Sequence, residues 1–434
     1  MRGVITIWLL ILSLTAPCAY AAVLTVPEPG PGAATAWPAP PESAAAGRRG
    51  DTEVRATTPS ALLRNVPAES AAADSRTVDW LWVTRVSLLS PAAVARVVER
   101  AQAMHVRGIL VQVIGRGDAF YRSERLPRAE ALGGLPADFD PLAELVMRGH
   151  AAGIEVHAWI NCCLVWSAPD RPSDPNHVAR LHPEWFLVLP DGRNLLSVGA
   201  RGWRRLGIEG AYLSPAHAAV RAWIAGNAAE VARHYAVDGI HLDYIRTPGI
   251  DAGYDGASRV GFALESGLDR ARRPGLSVAE RARIDTAFAA YQARQVTAVV
   301  RAVRDSLAAV RPGLALSAAV RPNPREAARY FAQPWPEWLA SGLLDRAFPM
   351  CYSPVTQTVL EQLQALSHLE YRDRVVPGLA VYNAPPLSVA SHCKGARALG
   401  YPQLALYSYD TLFEHSTYWE RLSSLLVAGT APSP

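Results

Sequence analysis

Lysine is nearly missing from this chain: Lys394 is the only one, and every other fixed cation among the 43 is arginine. The arginines are scattered, with no basic run and no stripe interleaved with aromatics. At a formal net charge of only +4, that excludes the footprint a nucleic-acid-binding surface requires. Phosphate-cradling motifs are also lacking. There is no Walker loop and no GxGxxG following a strand, and no GxSxG nucleophile elbow occurs. The 5 cysteines and 11 histidines do not fall into C-x₂-C or H-x₃-H spacing, so no metal centre and no cofactor is expected. Beyond the first residues no run of about eighteen apolar positions exists, so the mature chain offers no membrane span.

What is present begins with MRGVITIWLLILSLTAPCAYAA. A basic start, an apolar run of roughly fourteen residues and the small-residue pattern Ala19-Tyr20-Ala21 read as a secretory signal peptide over residues 1–21. The mature protein is therefore expected to be exported, periplasmic or extracellular. Lipidation at Cys18 is disfavoured by Pro17 in front of it. Residues 22–76 are dominated by Ala, Pro, Gly, Ser and Arg, a composition that buries too little apolar surface to offset ordering entropy, and they read as a linker. The folded domain is expected over 77–428. Four cysteines remain in it: Cys162, Cys163, Cys351 and Cys393. Export permits bridges, but small buried hydrophobes, with at most one structural bridge, is the favoured account.

From Thr77 onward short apolar runs alternate with helix-length segments. The runs are WLWVTR, GILVQVI, IEVHAWIN, GIHLDYI, LALSAAV, LLDRAFPM, VVPGLAVY and LALYSYD. Such alternation means parallel strands with crossover helices. Eight units fit a closed (β/α)₈ TIM-type barrel with enlarged loops, within the α/β class. An open doubly wound sheet would carry a glycine-rich turn after its first strand, and WLWVTRVSLLSP has none.

Functional groups of such a barrel lie at the carboxyl ends of its strands, and alternate residues face inward. In GIHLDYI the bulky Ile240 and Leu242 belong against the helices, which turns Gly239, His241 and Asp243 inward with Asp243 nearest the open end. A carboxylate there is costly unless paired or used, and Arg246 is its expected ion partner. In IEVHAWIN the inward set is Glu155, His157, Trp159 and Asn161. Glu155 would lie deep and paired. His157 reads either as a core histidine or as an orienting group, while Trp159 and Asn161 are high enough to meet a ligand. After the second strand Gln112 precedes GRGDAFY, whose glycines present Arg116 and Asp118 at the mouth. Later strands end with Arg321, with Cys351 and Tyr352, and with Tyr407, Tyr409 and Asp410. The expected binding set is Gln112, Arg116, His157, Trp159, Asn161, His241, Tyr244, Arg246, Arg321, Tyr352, Tyr407 and Asp410. Its aromatics suit the apolar faces of sugars.

GILVQVIGRGDAFYRSERLP, FDPLAELVMRGHAAGIEVHAWIN and YLSPAHAAVRAWIAGNAAEVARHYAVDGIHLDYIRTP together resemble the bacterial glycosyl-hydrolase-like barrels known as family 10 glycosylhydrolases. LALSAAV, FPMCYSP and LALYSYD fall where that family's fifth, sixth and eighth strands would, so the resemblance covers about 77–420. It implies a TIM-type barrel, export to the bacterial envelope and hydrolysis of glycan chains, with amino-sugar polymers such as peptidoglycan as the favoured substrate. Glycoside hydrolysis ordinarily takes two carboxyl groups. Asp243 is the principal candidate; Asp118 is its preferred partner and Asp410 competes. Many members carry a second aspartate where this chain has Tyr244, and follow HAWIN with Pro and an aromatic where this chain has Cys162-Cys163. Retaining, inverting and substrate-assisted schemes all fit this pattern, and a carbohydrate-binding barrel without catalysis is the rival class.

Overall fold

The computed structural model describes residues 78–271, 275–414 and 417–427. The expected signal peptide and linker lie outside the described residues. Ten strands occur in chain order: β1 (Trp80–Val83), β2 (Gly108–Ile114), β3 (Glu155–Asn161), β4 (Leu164–Trp166), β5 (Ala211–Tyr212), β6 (Gly239–Asp243), β7 (Ala315–Val320), β8 (Arg346–Cys351), β9 (Gly378–Ala380) and β10 (Ala405–Tyr407). Eight of them close a parallel barrel in the order β1-β10-β9-β8-β7-β6-β3-β2. These are the eight runs read from the sequence, joined by helices as the alternation required. Local chemistry starts those helices where the strands stop. Ser90 and Asp140 cap helices Pro91–Ala103 and Pro141–Ala151 by accepting an amide two residues inside each, and a proline occupies the first turn of both. Ser277 and Glu280 form a reciprocal capping box on the 33-residue helix Val278–Val310.

Strand parity divides the core in two. Val156, Ala158, Ile160, Ile240 and Leu242 belong to the large apolar layer between strands and helices. Trp80, Trp82, Leu110, Trp159, Phe348, Val376 and Ala405 fill the barrel itself. Glycines make room for these rings. A Cβ on Gly378 would lie 2.8 Å from the Trp82 ring, and one on Gly239 would overlap the His157 imidazole. The four cysteines are buried and free, which agrees with their reading as small hydrophobes. No helix among the described residues is long and apolar enough to cross a membrane.

The two remaining strands form an antiparallel pair, β4–β5, in the long insertion between β3 and β6. The backbone stitches this insertion to the barrel rim. The Cys162 amide donates to the Asp243 carbonyl (2.8 Å), the Cys163 amide to the Tyr244 carbonyl (3.1 Å), and the Leu213 amide to the Cys163 carbonyl (2.8 Å). The insertion is therefore tied to the strand end that carries Asp243.

Candidate active site

Register places His241 beside Trp159 and Asp243 beside Asn161 at the carboxyl ends of β6 and β3. Asp243 is only 8% exposed, and its Oδ1 accepts the Tyr244 amide at 2.7 Å. Burial raises its pKa to about 6, although the Tyr244 amide, the Arg246 charge and the Trp159 indole N–H pull it down; the charge of Glu209 pushes it up further. The chain leaves β6 through a left-handed residue, Tyr244 (φ 48°), a conformation that costs a bulky side chain energy and recurs at functional sites.

Arg246 does not make its salt bridge with Asp243, as the sequence led us to expect. Its Nη2 donates to Glu209 Oε1 at 2.8 Å, and Tyr212 OH donates to Glu209 Oε2 at 2.7 Å. The guanidinium lies 4.9 Å from the Tyr244 ring centroid and 5.4 Å from that of Phe331. Its charge still acts on Asp243, but from a position fixed by a different carboxylate. Sequence reading passed over Glu209 because it belongs to no strand end and to no recognisable motif.

Below Asp243 the barrel is closed by His241. The Trp82 indole N–H donates to His241 Nε2 (3.1 Å), so Nε2 must be unprotonated and Nδ1 carries the hydrogen toward Ser317 Oγ (2.9 Å). Burial and the neighbouring His157 hold this imidazole neutral, well below its usual pKa. His157 lies one layer deeper, 3.3 Å from Glu155 and edge-on to Trp80 at 4.9 Å. It is therefore removed from the mouth, where the binding set placed it.

At the mouth, Asn161 Oδ1 accepts the Trp159 indole N–H (2.9 Å) and Gln112 Nε2 (3.3 Å), while its Nδ2 donates to the Gly115 carbonyl (2.8 Å). Arg85, which the sequence gave no reason to single out, donates to Gln112 Oε1 at 2.7 Å. Tyr352 and Tyr407 stack with centroids 5.3 Å apart, Trp82 meets both edge-on, and the half-exposed Tyr382 stands edge-on to the pair.

The other expected residues have local duties. Asp118 Oδ1 accepts the Arg116 amide (3.1 Å) and so closes its glycine-flanked turn, while Arg116 Nε donates to Ser167 Oγ (3.1 Å). Asp410 accepts the Thr84 amide (3.0 Å) on one oxygen and Ser87 Oγ (2.6 Å) on the other. The Arg321 amide donates to Gln333 Oε1 (2.8 Å), and its guanidinium covers Phe331 at 4.6 Å. Among the described residues no group of three or more His, Cys, Asp or Glu side chains is placed to hold a metal ion.

A carboxyl group buried in an aromatic mouth and titrating near 6 is suited to give a proton to a leaving oxygen. Comparison with known proteins identifies the family. The curated glycosyl hydrolase DigH of Escherichia coli (strain K12) is 29% identical over 189 residues, 40% of this chain and 40% of that protein. Glycosyl hydrolase YngK of Bacillus subtilis (strain 168) is 28% identical over 153 residues, 34% of this chain and 26% of that protein. The chain thus matches well under half the length of each of these relatives. Among solved structures, the PgaB (BpsB) glycoside hydrolase domain from Bordetella bronchiseptica superposes with a TM-score of 0.58 at 15% identity, covering 79% of this chain and 97% of that one. At that identity the likeness is one of fold. The profile of the family Glycosyl hydrolase-like 10 matches residues 74–383, a span that takes in β1 through β9, Glu209 and Asp243. The chain belongs to the Glycosyl hydrolase-like 10 family.

Proposed function

We propose that this protein is an exported glycoside hydrolase of a bacterial envelope or extracellular polysaccharide, with amino-sugar polymers of the peptidoglycan kind as its substrate class. Asp243 carries the proposal: a carboxyl group 8% exposed, at the carboxyl end of a barrel strand, raised by burial to about 6. Export rests on the basic-apolar-small pattern of residues 1–21 and the linker after it. The amino-sugar preference rests on the sequence resemblance.

In this reading a sugar face lies against the Tyr352–Tyr407 pair and Tyr382. Protonated Asp243 gives its proton to the glycosidic oxygen as the bond from that oxygen to the anomeric carbon breaks. The Tyr244 amide then holds the carboxylate that forms. His241, fixed by Trp82 and Ser317, supports the floor and takes no proton. The test compares wild type with Asp243→Asn on a glycan panel that includes peptide-stripped peptidoglycan. A fall of about 10³-fold in reducing-end release is expected on removing a catalytic carboxyl group, the middle of the range for general acid–base catalysis. Binding of glycan without release by the wild type would favour the rival reading, a carbohydrate-binding barrel, which the tyrosine at position 244 supports.

A further inference from the structure

We infer, building on the glycosidase reading, that Glu209 is the second carboxylate of the site, supplied by the β4–β5 insertion rather than by a strand end, and that it takes the proton of the attacking water. Three observations lead there. The insertion is hydrogen-bonded directly to the end of β6, through Cys162 to Asp243, Cys163 to Tyr244 and Leu213 to Cys163. Glu209 is held in one orientation by two donors, Arg246 and Tyr212, and Arg246 stands three residues beyond Asp243. Its side chain is 45% exposed, whereas Asp243 is buried, so water reaches the one more readily than the other. Asp118 closes its own turn on the Arg116 amide, and Asp410 fastens Thr84 and Ser87 after β1, whereas Glu209 is bonded to Arg246 of the segment that follows Asp243.

The titration of the two groups is consistent with separate roles. Burial pushes Glu209 up, but the Arg246 charge and the bonds from Tyr212 and Arg246 outweigh it, and the carboxyl stays below its ordinary value. Asp243 is pushed the other way. Two carboxyl groups driven apart in this manner supply one ionised and one protonated partner in the same pH range.

The step balances as a single displacement. Water oxygen bonds to the anomeric carbon and gives one proton to Glu209. The glycosidic carbon–oxygen bond breaks and its electron pair stays on the leaving oxygen, which takes the proton of Asp243. One water is consumed, one reducing end appears, and solvent returns the proton from Glu209 to Asp243. The anomeric configuration inverts.

The experiment uses the mature chain and Glu209→Gln, which retains an oxygen acceptor for Arg246 or Tyr212. Reducing-end release should fall at least 100-fold, the acid limb of the kcat/KM profile should vanish, and the alkaline limb near 6 should remain. Azide, which needs no base, should restore turnover as a glycosyl azide, and such rescue also proves that the variant is folded. Activity within about threefold of wild type overturns the inference while leaving Asp243 as the proton donor. So does a large loss that keeps the acid limb and ignores azide, because Glu209 then only positions Arg246. Retention of configuration by the wild type overturns the base role. A wild type that releases no reducing ends defeats the underlying glycosidase reading instead.

Discussion

Two carboxyl groups occupy inward registers at opposite ends of the barrel, and their surroundings drive them in opposite directions. Glu155 opens β3 at the bottom. Burial pushes it up, yet His157 and Arg107 outweigh that and bring it down to about 2, with Arg107 Nε at 3.0 Å. Asp243 closes β6 at the top, where its nearby arginine is engaged by Glu209 and burial lifts it to about 6. The same residue chemistry on the same scaffold becomes a permanently ionised fastening at one end and a proton reservoir at the other. What differs is the company each keeps: Glu155 has His157 and Arg107 directly on its oxygens, whereas the arginine near Asp243 is bonded to another carboxylate.

The comparison is broken most severely by Arg246→Met. This substitution removes the cation from the mouth while keeping much of the apolar stem that covers Tyr244 and Phe331. Asp243 loses a charge that lowers it and Glu209 loses its ion partner. The alkaline limb of the pH–rate profile should therefore move above 6, and kcat/KM at pH 5 should fall on the order of 100-fold, within the range for acid–base groups. An unmoved alkaline limb would show that Arg246 does not act on Asp243.

A smaller effect comes from Asp243→Asn measured as stability. The folded pKa is raised from 3.8 to about 6, so the native state binds this proton more tightly than the unfolded chain does. Wild-type stability is then fully present below about pH 4 and declines as pH rises to about 6. The asparagine variant should be more stable than wild type by about 2–3 kcal/mol at pH 8, from 1.36 kcal/mol per unit, with the gap closing at pH 4. Chemical denaturation at the two pH values checks it.

Glu155→Gln should show the opposite sign and the smallest size. Its folded pKa is lowered from 4.5 to about 2, so the carboxylate contributes stability above about 4.5 that is lost as pH falls toward 2. The side chain is 33% exposed, which screens the interaction, and a loss of about 1 kcal/mol at pH 7 is expected. Catalysis should be unchanged within about twofold, measured by reducing-end release. A catalytic defect larger than that would mean the two ends of the barrel are coupled.

Much of this arrangement was legible in the sequence because it repeats. Eight apolar runs separated by helix-length segments define the barrel, and the alternation of Ile240 and Leu242 with His241 and Asp243 fixes which side chains face inward. The β4–β5 pair was not legible. Its strands are three and two residues long, too short to show a period. Their place depends on contacts such as Leu213 to Cys163, fifty residues apart. Glu209 was missed for the same reason, since LGIEGAYL carries no pattern that announces a site. The partner of Arg246 was misjudged because nearness in sequence favoured Asp243, while the fold brought a distant glutamate closer.

The ring-filled interior has a consequence for traffic. Trp82, Trp159 and Phe348 lie across the barrel beneath Asp243, and Gly239 and Gly378 let neighbouring rings approach without gaps. The interior below the site is thus a packed core of rings rather than a pore. On the proposed function, substrate, product and the proton that resets Asp243 after each turnover would share the mouth beside Tyr352, Tyr382 and Tyr407. A glycan lodged in that opening would therefore also stop the enzyme from reloading, and departure of product and recovery of the proton become one event.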